Sequence, residues 1–170
     1  MKRILLICVL GMMAVWSCAQ YGWHPRFSVL ELLQYQQRKG LSAHVQPPFG
    51  KYGGSRIRAS SLLPGNDPRQ LWGREVGRND AFVPDKQPLY RIFRKKSDDS
   101  VAFIDTRGGS LQVVFWNKLI YRYCASELRR MGFVCLSNAQ SNVLAFRKSD
   151  VSLKVDVIVW SDMYVMEIYT

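Results

Sequence analysis

The chain has 170 residues, with 24 Lys and Arg against 13 Asp and Glu, a net charge of +11. Inside a cell such a surplus points to nucleic acid, but the first twenty residues carry an export pattern. Export removes nucleic acid from the expected partners and leaves an anionic envelope surface or a protein. Two histidines, His24 and His44, stand twenty residues apart with no spaced metal partner, so the chemistry expected uses neither a metal nor another cofactor.

The opening MKRILLICVLGMMAVWSCAQ places Lys2 and Arg3 before an uncharged, mostly apolar run from Ile4 to Trp16, and then the small or polar group Ser17 to Gln20. That order is the layout of a secretory signal peptide, residues 1–19. The thirteen-residue run falls short of the ~20 residues a helix needs to cross a bilayer. Two processing outcomes follow. Ser17-Cys18-Ala19 suits a cut before Gln20, whereas Val15-Trp16-Ser17-Cys18 resembles a bacterial lipobox, which makes Cys18 a lipidation candidate. Membrane contact is expected only through such an anchor.

Residues 20–88 form a basic segment rich in proline and glycine. All seven prolines precede residue 89, and residues 20–100 hold fourteen Lys and Arg against seven Asp and Glu; residues 101–170 hold eight against six. Residues 40–88 read as irregular, because proline and glycine do not sustain a sheet interior. Within the segment, FSVLELLQYQQRKG predicts a helix over 29–39, with a Ser28/Glu31 capping box, a Phe27/Leu32 staple and Gly40 as its stop. The glycine-rich FGKYGGSR lacks the Walker spacing and reads as a flexible basic loop.

From Leu89 onward, proline disappears and β-branched and aromatic residues dominate, so 89–170 is expected to be the α+β domain. LYRIFRKKSDDSVAFIDT predicts two strands, 89–96 and 100–105, paired as a hairpin. In SLQVVFWNKLIYRYCASELRRMGF the spacing of Val113, Trp116, Ile120, Cys124, Leu128 and Met131 predicts a helix over 111–131 that ends at Gly132; LQVVFW alternatively forms a strand, with the helix starting near Asn117. A strand near 133–138 and a meander follow. Two-residue turns at Ser149-Asp150 and Ser161-Asp162 set Phe146 opposite Leu153, Leu144 opposite Val155, and Val155, Val157 and Val159 opposite Ile168, Met166 and Tyr164. The predicted fold is α+β: an antiparallel sheet in a ββαββββ-like meander with one long helix packed across one face, preceded by the irregular segment with its short helix. FRKKSDDSVAFID echoes FRKSDVSLKVDV, a likeness that two basic-flanked hairpins explain without duplication.

No nucleophile, base and orienting group fall at catalytic spacing. The register sets Asp156 opposite Glu167, a carboxylate pair of the kind that divides acid and base roles in glycosidases; Lys154, two residues along, could neutralise it instead. Cys124 and Cys135 come level across the helix-sheet interface, which makes them the disulfide candidate, although layers ~10 Å apart exceed the reach of a disulfide and favour two buried thiols. Ile158, Trp160, Met163 and Val165, joined by Tyr169, form an apolar cluster on the sheet face turned from the helix and are the partner-binding candidates. Either the 29–39 helix covers them through Val29, Leu30, Leu32 and Leu33, or another molecule does; self-coverage is favoured, because that helix has no other evident place to bury its apolar face. The function expected is that of an exported cell-envelope protein acting as a non-catalytic binding or structural module. The alternative is a small hydrolase using Asp156 and Glu167 on an envelope or glycan substrate.

Overall fold

The computed structural model describes residues 25–39, 41, 45–58, 68–106, 109–137 and 141–170. Cys18, His24, His44 and Gly40 lie outside the described residues. The fold is α+β. Two helices, α1 (Val29–Lys39) and α2 (Lys118–Arg130), pack on one face of an eight-stranded antiparallel sheet. In chain order the strands are β1 (Ser55–Ile57), β2 (Gln70–Arg74), β5 (Val101–Asp105), β6 (Leu111–Phe115), β7 (Val134–Ser137), β8 (Val143–Arg147), β9 (Lys154–Val159) and β10 (Tyr164–Tyr169). A separate two-stranded ribbon pairs β3 (Val76–Arg78) with β4 (Phe93–Lys95).

The sheet order β1-β2-β5-β6-β10-β9-β8-β7 reads as two mirrored halves. Among the described residues, each half supplies a helix and then four strands to this sheet, and the halves meet antiparallel through their last strands, β6 and β10. One rung crosses all eight strands: Arg56, Trp72, Phe103, Val113, Met166, Val157, Leu144, Ser137. The sheet therefore runs across the boundary expected at residue 89, since β1 and β2 come from the 20–88 segment.

Helix α1 occupies the predicted residues. Ser28 Oγ accepts from the Glu31 amide at 3.3 Å, while the Glu31 carboxylate takes Lys51 Nζ and the Tyr52 hydroxyl, each at 2.5 Å, rather than closing the capping box. Val29, Leu32 and Leu33 are buried and Leu30 is half exposed. The described part of 40–88 is more regular than expected, because β2 is a proline-free run between Pro68 and Pro84. Its Gly73 is required: a Cβ there would stand 2.2 Å from Val76 Cγ2, where the chain doubles back through Glu75 at φ 49°. The FGKYGGSR stretch is likewise a built turn and not a flexible loop. Phe49 is fully buried and stacks on Phe103 at 4.7 Å between ring centroids, and a Cβ on Gly54 would meet Phe49 O at 2.9 Å.

The helix predicted over 111–131 divides into β6 and α2. Leu111, Val113 and Phe115 alternate onto the helix side while Val114 joins the apolar cluster behind the sheet, so both faces of β6 are buried. The three- and four-residue spacing across Val113, Trp116 and Ile120 joined two elements over a turn at Asn117, whose side chain caps α2 by accepting from the Leu119 amide at 2.8 Å. At the other end Gly132 adopts φ 86° and Phe133 N donates to Leu128 O at 3.0 Å, the predicted stop. The expected 89–96/100–105 hairpin does not form: β4 pairs with β3, and β5 lies between β2 and β6. Two basic-flanked hairpins therefore do not explain the sequence echo between 93–105 and 146–157, since β4 and β5 do not pair; the echoed stretches instead lead into β5 and β9, the third strands of the two halves.

Candidate functional site

The β9–β10 register is as predicted, with Val155, Val157 and Val159 opposite Ile168, Met166 and Tyr164. The β8–β9 register is two residues longer than expected: Phe146 pairs with Val155 and Leu144 with Val157. Leu153, expected within the strand, instead plugs the core from the connecting turn. A shift of two preserves side-chain parity, so every residue keeps its predicted face.

The apolar set behind the sheet is covered by the chain, but by a different segment from the one expected. Helix α1 packs on the opposite face beside α2. The cover is the excursion between β2 and β5, in which Tyr90, Ile92 and Phe93 share a buried cluster with Leu71, Ala102, Ile104, Val114, Met163 and Val165. Met163 and Val165 are buried, Ile158 and Tyr169 are half-buried, and Trp160 remains 37% exposed. Pro88 fixes the entry to a 3-10 turn, Leu89–Ile92, that drives Tyr90 and Ile92 inward and turns Arg91 outward. Asn79 ties down the far side of the excursion, its Nδ2 donating to Arg91 O and its amide to Ile92 O, both at 2.8 Å.

Arg91 clamps this cover to the β9–β10 turn. Its guanidinium lies 4.9 Å from the Trp160 ring centroid, and Nη1 donates to Asp162 Oδ2 at 2.9 Å. Beside the clamp is an open cleft of about 270 Å³ whose floor is Phe93, Trp116 and Met163 and whose rim carries Arg91, Arg94 and Lys95. Asp162 neutralises Arg91, and Asp98 stands 3.7 Å from Lys95. Arg94 is exposed and has no carboxylate partner among the described residues. The cleft thus offers guanidinium and ammonium donors above an aromatic and thioether floor, a combination that receives an anionic group attached to an apolar body.

Asp156 and Glu167 stand opposite one another as predicted. Arg147, not Lys154, balances Asp156. Its Nη1 donates to Asp156 Oδ1 at 2.7 Å, and the Tyr169 hydroxyl donates to Asp156 Oδ2 at 2.9 Å, so both Asp156 oxygens are engaged. Burial, and then the bond to Asp156, push the Tyr169 hydroxyl above its ordinary pKa. Glu167 accepts from Gln112 Nε2 at 3.1 Å, and Lys154 sits 5.9 Å from the Tyr169 ring centroid. Cys124 and Cys135 are both free thiols, Cys124 buried and Cys135 half-buried; burial raises the Cys124 pKa.

Sequence reasoning missed a second carboxylate. Asp105, 2% exposed at the end of β5, accepts from the Tyr35 hydroxyl at 2.6 Å and from Lys39 Nζ at 2.5 Å. Burial, reinforced by Asp105, holds the Tyr35 hydroxyl well above the usual tyrosine range. One turn of α1 separates Tyr35 from Lys39, a spacing that sets both on one face, but nothing in the sequence names their partner seventy residues away. No group of His, Cys, Asp and Glu among the described residues could hold a metal ion, and no helix among them is long and apolar enough to cross a membrane. Compared with protein-family models, with curated proteins and with solved structures, the chain finds no match.

Proposed function

We propose that the chain is an exported cell-envelope protein that binds rather than catalyses, and that its cationic-aromatic cleft engages an anionic envelope surface. The observation that carries this reading is the placement of Arg94 and Lys95, on a short ribbon strand, at the rim of a cleft lined by half-buried Trp116 and by Phe93 and Met163. Export rests on the leader pattern of residues 1–19. The charge distribution agrees, since the cleft cations belong to the half of the chain that carries most of the positive charge. The engagement of both Asp156 oxygens by Arg147 and Tyr169 supports binding over the hydrolase alternative.

Co-sedimentation with vesicles tests the reading. The protein should bind phosphatidylglycerol vesicles and leave phosphatidylcholine vesicles alone. The double variant Arg94→Glu, Lys95→Glu should bind at least about tenfold more weakly, given about 1 kcal/mol for each cation near an anionic surface. Equal binding by the double variant, or equal binding to both kinds of vesicle, contradicts it.

A further inference from the structure

The two ends of the eight-stranded sheet are guarded differently. At one end β1 is three residues long and carries Arg56 at its centre. At the other end β7, Val-Cys-Leu-Ser, contains neither charge nor proline, the usual devices that stop a sheet edge from pairing. Val134 and Leu136 stand on it 62% and 57% exposed. Two residues apart, they share the face behind the sheet, while Cys135 between them turns to the helix side and packs against the front core.

We propose that β7 pairs antiparallel with β7 of a second copy, joining two eight-stranded sheets across a two-fold axis. The strand's own pattern selects this occupant. An antiparallel strand paired with itself keeps like faces together only when opposed residue numbers sum to an even value, and centring the pair on Cys135 meets that condition. Val134 then faces Leu136 of the second copy on both sides of the axis, and Cys135 faces itself. Both exposed apolar side chains gain an apolar cross-strand neighbour, and the residue that must meet its own copy is small and uncharged. Charge does not oppose the joint. Arg147, the β8 neighbour of Val134, is neutralised by Asp156, and Lys148 lies 3.4 Å from Asp150. The molecule already contains one joint of this type, because β6 and β10 unite its two halves edge to edge.

The geometry supplies its own reporter. Opposed Cα atoms in an antiparallel pair lie ~4.5–5.5 Å apart, within the span of a disulfide. Sedimentation velocity on the full chain should show a concentration-dependent dimer. Leu136→Lys should weaken it at least about tenfold, since the lysine displaces an apolar pair on each side of the axis, whereas Leu41→Lys, at a site 85% exposed elsewhere, should leave it unchanged. Independently of any substitution on β7, diamide should withdraw two electrons and two protons from a pair of thiols and yield a dimer linked Cys135 to Cys135, identified by peptide mass. A chain that stays monomeric, a Leu136→Lys variant that dimerises as tightly, or an oxidised dimer linked elsewhere overturns the proposal. So does capture of an acidic extended peptide at β7 of a monomeric chain.

Discussion

The two halves of the sheet share one plan and differ most in one connection. Between β2 and β5 the chain makes a long excursion, residues 75–100, which roofs the back of the first half; between β8 and β9 it makes only the short turn 148–153. The roofed half buries Leu71, Ala102 and Ile104 and acquires a cleft where the roof meets Trp116 and Met163. The unroofed half presents Asp156, Arg147 and Tyr169 as a partly exposed polar network. The strand scaffold sets the core, while the length and composition of that connection decide where a cleft opens.

Stability measurements can break that comparison. Asp105 and Asp156 are both paired carboxylates, but Asp105 is sealed beneath α1 and Asp156 lies on the open side. Asp105→Ala leaves the largely buried Lys39 ammonium with Thr106 O as its remaining acceptor and should cost about 3–5 kcal/mol in urea unfolding, whereas Asp156→Ala should cost about 1 kcal/mol or less. Equal losses would show that the second half is sealed as well as the first.

The Tyr35 hydroxyl sharpens the contrast by its response to pH. Its pKa is raised in the folded state, so above the ordinary tyrosine range the unfolded chain releases a proton that the folded chain retains. Stability contributed by Tyr35 is therefore complete below about pH 10 and declines as pH rises beyond it. Tyr35→Phe should lower stability at neutral pH by about 1–3 kcal/mol, since Asp105 loses a hydrogen bond to a charged group, and should flatten the alkaline decline. An unchanged alkaline slope would separate Tyr35 from the Asp105 network.

Local patterns in the sequence were legible wherever a short stretch carried its own signal. Ser28 and the apolar spacing after it located α1, Gly132 and Phe133 located the end of α2, and the matched apolar sets across Ser161-Asp162 gave the β9–β10 register. Errors arose where two elements adjoined or where partners were distant. Val113 and Ile120 happened to fall at helical spacing although a strand ends between them. Leu153 looked like a strand residue because its burial comes from a turn. The roof carries two misleading signals: Gly77, Pro84 and Pro88 punctuate it as irregular chain up to residue 88, and LYRIFRKK reads as one hairpin strand although its inward residues Tyr90, Ile92 and Phe93 follow no regular period. Most of the cleft was illegible for the same reason: residues near 79, 93, 116 and 163 meet only in three dimensions. The interleaving of Tyr90, Arg91, Phe93, Arg94 and Lys95, together with the apolar Met163 beside Ser161-Asp162, carried what signal there was for it.

The indole N–H signals of the tryptophans test the central claim most directly. Trp116 lines the cleft and Trp160 stacks on its Arg91 clamp, whereas Trp72 lies on the helix side of the sheet with a buried indole nitrogen. Titration of isotope-labelled protein with a soluble short-chain phosphatidylglycerol should move the Trp116 signal, and the Trp160 signal to a smaller extent, in a saturable manner while leaving Trp72 in place. Saturable movement of Trp72 with Trp116 unchanged would contradict the assignment of the cleft as the binding site.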